Sequence, residues 1–212
     1  MKEERETKKR LLDSAKAEFM DKGFEKASLR TICKNAGVTT GALYFFFNNK
    51  EDLFAAIVEE PYKIVLQMSL EHFDGHEIIF SSFSAPSDIE AACNPEEHND
   101  FEYKLTHILY QYYDEFLLII EKSQGTRFEN CVDTIVELTE KSYIFMAQKA
   151  AEIRPGCRVS KYMCHWITHI SIDAFIHILT HVSDENMALK YVKKVIDFIL
   201  NGWIDLVLIE EE

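Results

Sequence analysis

An all-helical fold is the class this sequence predicts, and three observations predict it. Only 7 glycines and 4 prolines punctuate 212 residues. Apolar residues recur mostly at spacings of three and four rather than two. Side chains suited to capping a helix stand just before several of these stripes. With 47% hydrophobic and 28% charged residues, the chain has the make-up of an ordinary globular protein able to bury a substantial core.

Taken in order, Leu11, Leu12, Ala15 and Phe19 form one stripe, closed by a stop at Gly23. Leu29, Ile32, Cys33 and Ala36 form a second, opened by Ser28 and ended by Gly37. Thr39 is placed to cap a third helix, and Asn49 with Asp52 resembles a capping box for a fourth. That fourth helix continues through Leu53 and Ile57, with a kink or break expected near Glu60 because Pro61 removes a backbone donor and crowds the preceding turn. Residues 74–100 read as an irregular connection, with room for a short helix at Ile78–Phe83. Long helices follow at roughly 101–123, 126–153, 158–182 and 185–208, with no internal repeat or low-complexity tract.

No apolar run approaches the roughly 18 residues of a membrane span, and MKEERETKKR lacks the apolar stretch of a signal peptide. A cytoplasmic protein without membrane partners is expected. Cys33, Cys93, Cys131, Cys157 and Cys164 are odd in number and scattered, with no Cys-x-x-Cys pair, and read as reduced thiols acting as small hydrophobes. The net charge of -13 argues against indiscriminate coating of nucleic acid, but it is unevenly spread. Residues 1–54 hold 11 Lys or Arg against 9 Asp or Glu, a net of +2, leaving -15 for the rest. One small end tolerates a polyanion; the remainder repels it.

Helix 28–36, a turn at Gly37 and helix 39–47 have the length and glycine placement of a helix-turn-helix, whose second helix enters a DNA major groove. Four consecutive aromatics, Tyr44 to Phe47, cannot share one helical face. Leu43 and Phe47 are spaced to pack inward, leaving the Tyr44 hydroxyl for a phosphate and the Phe45 ring for sugar or a thymine methyl. Thr40, Gly41 and Ala42 are small enough to let the helix backbone approach the groove.

GFEKASLRTICKNAGVTTGALYFFFNNKEDLF, residues 23–54, resembles the DNA-binding domain of the TetR family of one-component transcriptional repressors. The resemblance rests on Ser28, the Ala36-Gly37-Val38 turn, Gly41, the Leu43-Tyr44 pair, Phe47 and the Lys50-Glu51-x-Leu53 start of the next helix. Phe46 departs from the His or Tyr common there. The resemblance implies a helix-turn-helix domain over 1–54 and a helical effector and dimerisation domain over 55–212. It also implies a homodimer on a palindromic double-stranded operator, released by a small molecule. By position, Ser28, Arg30, Thr39, Thr40, Gly41, Ala42, Tyr44, Phe45 and Lys50 would form the DNA interface.

No Gly-rich phosphate loop, nucleophile elbow or metalloprotease motif occurs, so neither an enzyme nor a cofactor is expected. The aromatic density of the middle helices fits a ligand pocket as well as core packing, with His107, Tyr110 and Tyr143 as ligand candidates. Trp166, Ile170, Ala174 and Ile178, with Ile199, Gly202, Trp203 and Leu206, form the expected two-helix dimer face, which an internal core would also explain. His72 with His76, His165 with His169, and His177 with His181 are i,i+4 pairs, read as polar stripes rather than metal ligands. A helical binding or scaffold protein without DNA readout is the second reading.

Overall fold

The computed structural model describes residues 2–92 and 99–210; Cys93 and the turn residues Asn94 and Pro95 lie outside the described residues. The described residues are helical apart from one two-stranded sheet, and they divide into two compact units. The first comprises residues 1–64 with 112–132, and the second 65–111 with 133–212.

In the first unit, α1 (Lys2–Lys26) breaks at Gly23, where φ 72 and ψ 165 suit only glycine. Helices α2 (Leu29–Ala36) and α3 (Thr40–Phe46) follow, with Gly37 at φ 66 forming the left-handed cap between them. Leu11, Ala15 and Phe19 of α1, Ile32 of α2 and Leu43 of α3 are fully buried, as their spacing requires. Phe19 and Phe24 meet Phe54 edge to face at 5.1 and 5.5 Å, and Phe128 closes this aromatic cluster at 6.1 Å from Phe54. Helix α7 (Tyr113–Lys122) belongs here too, tied to α1 by Lys16, which pairs with Asp114 and Glu115 at 2.9 Å each.

Helix α4 (Lys50–Ser81) begins in the first unit and ends in the second. It passes through Pro61 without the expected break and extends over Gly75, which the sequence assigned to an irregular connection. Pro61 is buried, so packing of its ring accompanies the single lost backbone bond. Helix α5 (Pro86–Ala92) then starts with proline in its first turn, and the Asp88 carboxylate accepts from the Ser84 and Ala85 amides at 2.8 and 2.9 Å.

In the second unit, α6 (Asn99–Gln111) stops where one helix over 101–123 was expected. Tyr112, at φ -116 and ψ 40, separates it from α7, and the two halves belong to different units. Helices α8 (Cys131–Ile153), α9 (Lys161–His181) and α10 (Glu185–Val207) supply a core that includes Met146, Ala147, Ala150, Cys164, Ile167, Ile199 and Trp203. Strands β1 (Cys157–Val159) and β2 (Leu208–Glu210) pair antiparallel, Arg158 opposite Ile209, where the sequence pattern carried no strand signal. Among the described residues no helix is long and apolar enough to cross a membrane. Cys33, Cys131, Cys157 and Cys164 are free thiols, the first two and Cys164 buried.

Candidate nucleic-acid interface and ligand core

Local side chains fix the ends of the two short helices. Ser28 Oγ accepts from the Thr31 amide at 3.4 Å, and Thr39 Oγ1 accepts from the Ala42 amide at 3.1 Å. Ser14 Oγ donates to the Ile32 carbonyl at 2.9 Å and so fastens α2 to α1. Asn49 Oδ1 accepts from the Asp52 amide at 2.8 Å, while the Asp52 carboxylate reaches back to the Asn48 amide at 3.3 Å, one residue before the position an ideal capping box uses.

This frame leaves Tyr44 53% and Phe45 72% exposed on α3, while Leu43 and Phe47 point into the core. Arg30, Thr39, Thr40 and Gly41 are exposed beside them; Ser28 and Ala42 are half-buried. Phe46 is also half-buried, edge to face with Phe45 at 5.0 Å. An open cleft of about 450 Å³ runs along this helix, lined by Ala42, Phe45 and Phe46 and, from α1, by Glu3, Glu4 and Thr7. The sequence reading assigned no role to that α1 edge, because residues distant in sequence carry no periodic signal of proximity.

Lys50 departs from the phosphate-facing role. Its ammonium donates to the carbonyls of Phe24 at 2.6 Å, Glu25 at 3.0 Å and Ala27 at 3.4 Å, and stands 4.5 Å over the Phe24 ring. The ammonium is engaged with backbone carbonyls in the last turn of α1 and just beyond it, which makes Lys50 a clasp of this frame in the structure.

The three ligand candidates of the second unit are not brought together. His107 is exposed and bonds Glu185 at 2.8 Å, fastening α6 to the start of α10, and the Tyr110 hydroxyl donates to the Val182 carbonyl, fastening α6 to the end of α9. Tyr143 lies in the interior instead, edge to face with Trp203 at 5.8 Å and hydrogen-bonded to Ser171. Beside it is Glu102 of α6, a residue the sequence reading overlooked as one more helical carboxylate. Burial pushes the Glu102 carboxyl up to about 7, against the opposing pull of its own backbone N–H. Burial likewise raises the Tyr143 phenol, helped by the Glu102 charge and opposed by the Ser171 bond. Among the described residues, Glu102 Oε2, Ser142 Oγ and Trp203 Nε1 are buried with no hydrogen-bond partner.

The expected dimer residues also separate. Ile178, Ile199 and Trp203 are buried in the unit's own core, and Ala174 and Leu206 are partly covered. Trp166 is 42% and Ile170 39% exposed, joined on the surface by Gly202 and by Tyr162, Met187, Tyr191 and Phe198, the last 75% exposed. Turning the α10 face by one residue distinguishes Phe198 from Ile199, a choice a broad apolar stripe leaves open. The ring pairs His72–His76, His165–His169 and His177–His181 approach to 4.1, 4.5 and 4.0 Å between centroids. Among the described residues no group of three or more His, Cys, Asp or Glu is placed to hold a metal ion.

With this geometry established, a family model described as bacterial regulatory proteins of the tetR family matches residues 11–57, from Leu11 of α1 into α4. The N-terminal segment of the chain is thus similar to a TetR-type DNA-binding domain. The TetR-type segment is similar to the transcriptional regulator AcrR of Shigella flexneri, 40% identical over 70 residues that make up 33% of each chain. It is similar also to UidR of Escherichia coli strain K12, 35% identical over 69 residues, 32% of this chain and 35% of that one. Each match spans about a third of the relative's length. Beyond the TetR-type domain the fold likeness continues: PfmR of Thermus thermophilus superposes with a TM-score of 0.60 at 17% identity, over 91% of this chain and 98% of that one.

Proposed function

We propose that the protein is a sequence-specific transcriptional regulator, a repressor that binds a palindromic double-stranded operator as a homodimer and leaves it when a small molecule enters the second unit. The observation that carries this reading is the exposure of Tyr44 and Phe45 on a helix capped and held from behind within a TetR-type domain. Large aromatics left in water on a rigid short helix fit a surface awaiting a partner, and their chemistry suits phosphate and thymine methyl. Arg30, Thr39, Thr40, Gly41 and Ala42 complete the contact surface, Ser28 fixes the approach of α2, and Lys50 acts from behind. The exposed stripes Tyr162–Trp166–Ile170 and Met187–Tyr191–Phe198 supply the dimer face, with the two reading helices about 34 to 36 Å apart on successive turns of one groove.

Selection of bound sites from fragmented genomic DNA, followed by footprinting, tests the reading. The expected result is a palindromic site whose affinity falls by about 1 to 2 kcal/mol in Tyr44→Phe, the value of a hydrogen bond to a charged phosphate. Folded protein that selects no site would favour a helical binding or scaffold protein without DNA readout. Light scattering of Phe198→Glu should return a monomer mass while the parent returns a dimer.

A further inference from the structure

On α9, His165 and His169 are four residues apart, which places their rings on one side of the helix, and both are exposed. The ring centroids are 4.5 Å apart and the planes meet at 61°. His165 is held from behind, its Nδ1 lying 3.0 Å from Glu140 Oε2 of α8. An ionised carboxylate only accepts, so this bond keeps the proton of the neutral ring on Nδ1 and the lone pair on Nε2. His169 makes no hydrogen bond or ion pair among the described residues, only the ring contact with His165, and its ring can turn toward the same point. The other two pairs lack this arrangement. His177 and His181 stack at 4.0 Å and 27°, so the lone pairs in their planes run side by side, and the His72 ring lies flat on Phe101 at 3.8 Å.

We propose that His165 and His169 form a two-imidazole site for a first-row transition-metal ion such as Zn²⁺, with Glu140 orienting His165 from behind. Two histidines at this spacing on a helix bring two nitrogens to one ion. A carboxylate bonded to the far nitrogen of a ligating imidazole fixes its tautomer, steadies the ring and makes the ligand more basic. Lys161 and Asp173 stand one turn to either side of the pair with opposite charges, so the Glu140 carboxylate leaves the surroundings negative. Imidazole nitrogens suit Zn²⁺, Cu²⁺ and Ni²⁺, whereas Mg²⁺ and Ca²⁺ seek oxygen. Two protein ligands leave the other positions to water, in keeping with the absence of a group of three ligands among the described residues. Trp166 and Ile170 each directly follow one of the two histidines and are exposed with them, so the ion stands beside the face proposed for the dimer. The site itself depends on neither the dimer nor DNA binding.

Titration calorimetry of the full chain, freed of any affinity tag, with zinc chloride at neutral pH tests it. Saturable binding of Zn²⁺ at submillimolar concentration is expected, displaced by Cu²⁺ and indifferent to excess Mg²⁺. His165→Ala and His169→Ala should each weaken it at least about tenfold, and Glu140→Gln by about tenfold, the usual cost of losing a group behind a metal ligand. His177→Ala should leave it unchanged. Because His169 is exposed and makes no hydrogen bond among the described residues, His169→Ala should melt with the parent, which keeps a loss of zinc binding separate from a loss of fold. Zinc affinity that survives His169→Ala overturns the proposal, as does an equal loss in His177→Ala, displacement by Mg²⁺, or no binding at submillimolar zinc. A Glu140→Gln variant with the parent's zinc affinity overturns the orienting role, since its bond to His165 would then only tie α8 to α9. Histidine-dependent zinc binding by a chain that selects no operator supports the site and lets the regulatory reading fail alone.

Discussion

The two units differ in where their polar groups find partners. In the first, helix ends are closed by Ser28, Thr39 and Asn49, and the carbonyls at the end of α1 and just beyond it by Lys50. None of the described buried side-chain polar atoms without a partner lies there. In the second, Glu102, Ser142 and Trp203 are buried without partners among the described residues. The contrast separates two kinds of binding surface. On the proposed function, the unit that presents a fixed face to DNA completes its interior by itself, whereas the unit proposed to admit a small molecule holds interior groups that a ligand could complete.

Four measurements break or sharpen that contrast. The largest effect is expected at Phe54, where three rings converge: Phe54→Ala should cost the first unit about 3 to 5 kcal/mol in urea unfolding, and a cost below about 1 would mean that its interior is loosely filled. Next is the pH response of the second unit. The Glu102 carboxyl is raised from 4.5 to about 7, so the folded chain holds a proton that the unfolded chain has released between those values. Stability should therefore fall as pH rises through this window, by about 3 kcal/mol once pH exceeds 7, and Glu102→Gln should flatten the fall.

Lys50→Met should destabilise the first unit by about 2 kcal/mol through the loss of its bonds to the three carbonyls. If the clasp is the role of Lys50, the salt dependence of operator binding stays as in the parent. A slope reduced by about 1 per subunit would instead return Lys50 to a phosphate. The smallest effect belongs to Thr39→Ala, about 1 kcal/mol for a single exposed cap, read by thermal unfolding.

The same contrast explains which parts of the molecule were legible in the sequence. Gly23, Ser28, Gly37 and Thr39 act on residues within four positions, so their local signals predicted the helix boundaries around the turn and the outward placement of Tyr44 and Phe45. The break at Tyr112 has no proline or glycine to announce it, because the two halves of that apolar run pack in different units. Pro61 and Gly75 misled in the opposite direction, since a 32-residue helix absorbs the loss of one bond. Trp203 and Ile199 belong to the apolar face expected to meet a second subunit, yet tertiary packing buries both in the unit's own core and leaves Phe198, on another side of α10, exposed. Glu102 resembled any surface carboxylate, because burial imposed by distant helices leaves no trace in its neighbours.

The bonds from Lys50 to Phe24, Glu25 and Ala27 span 26, 25 and 23 residues of chain, yet they join the first turn of α4 to the segment leading into α2. Fraying at either place breaks the same ammonium contacts. Amide protons after Gly23 and those at the start of α4 should therefore exchange with deuterium through one shared opening rather than two, at a common rate that Lys50→Met raises at both places together.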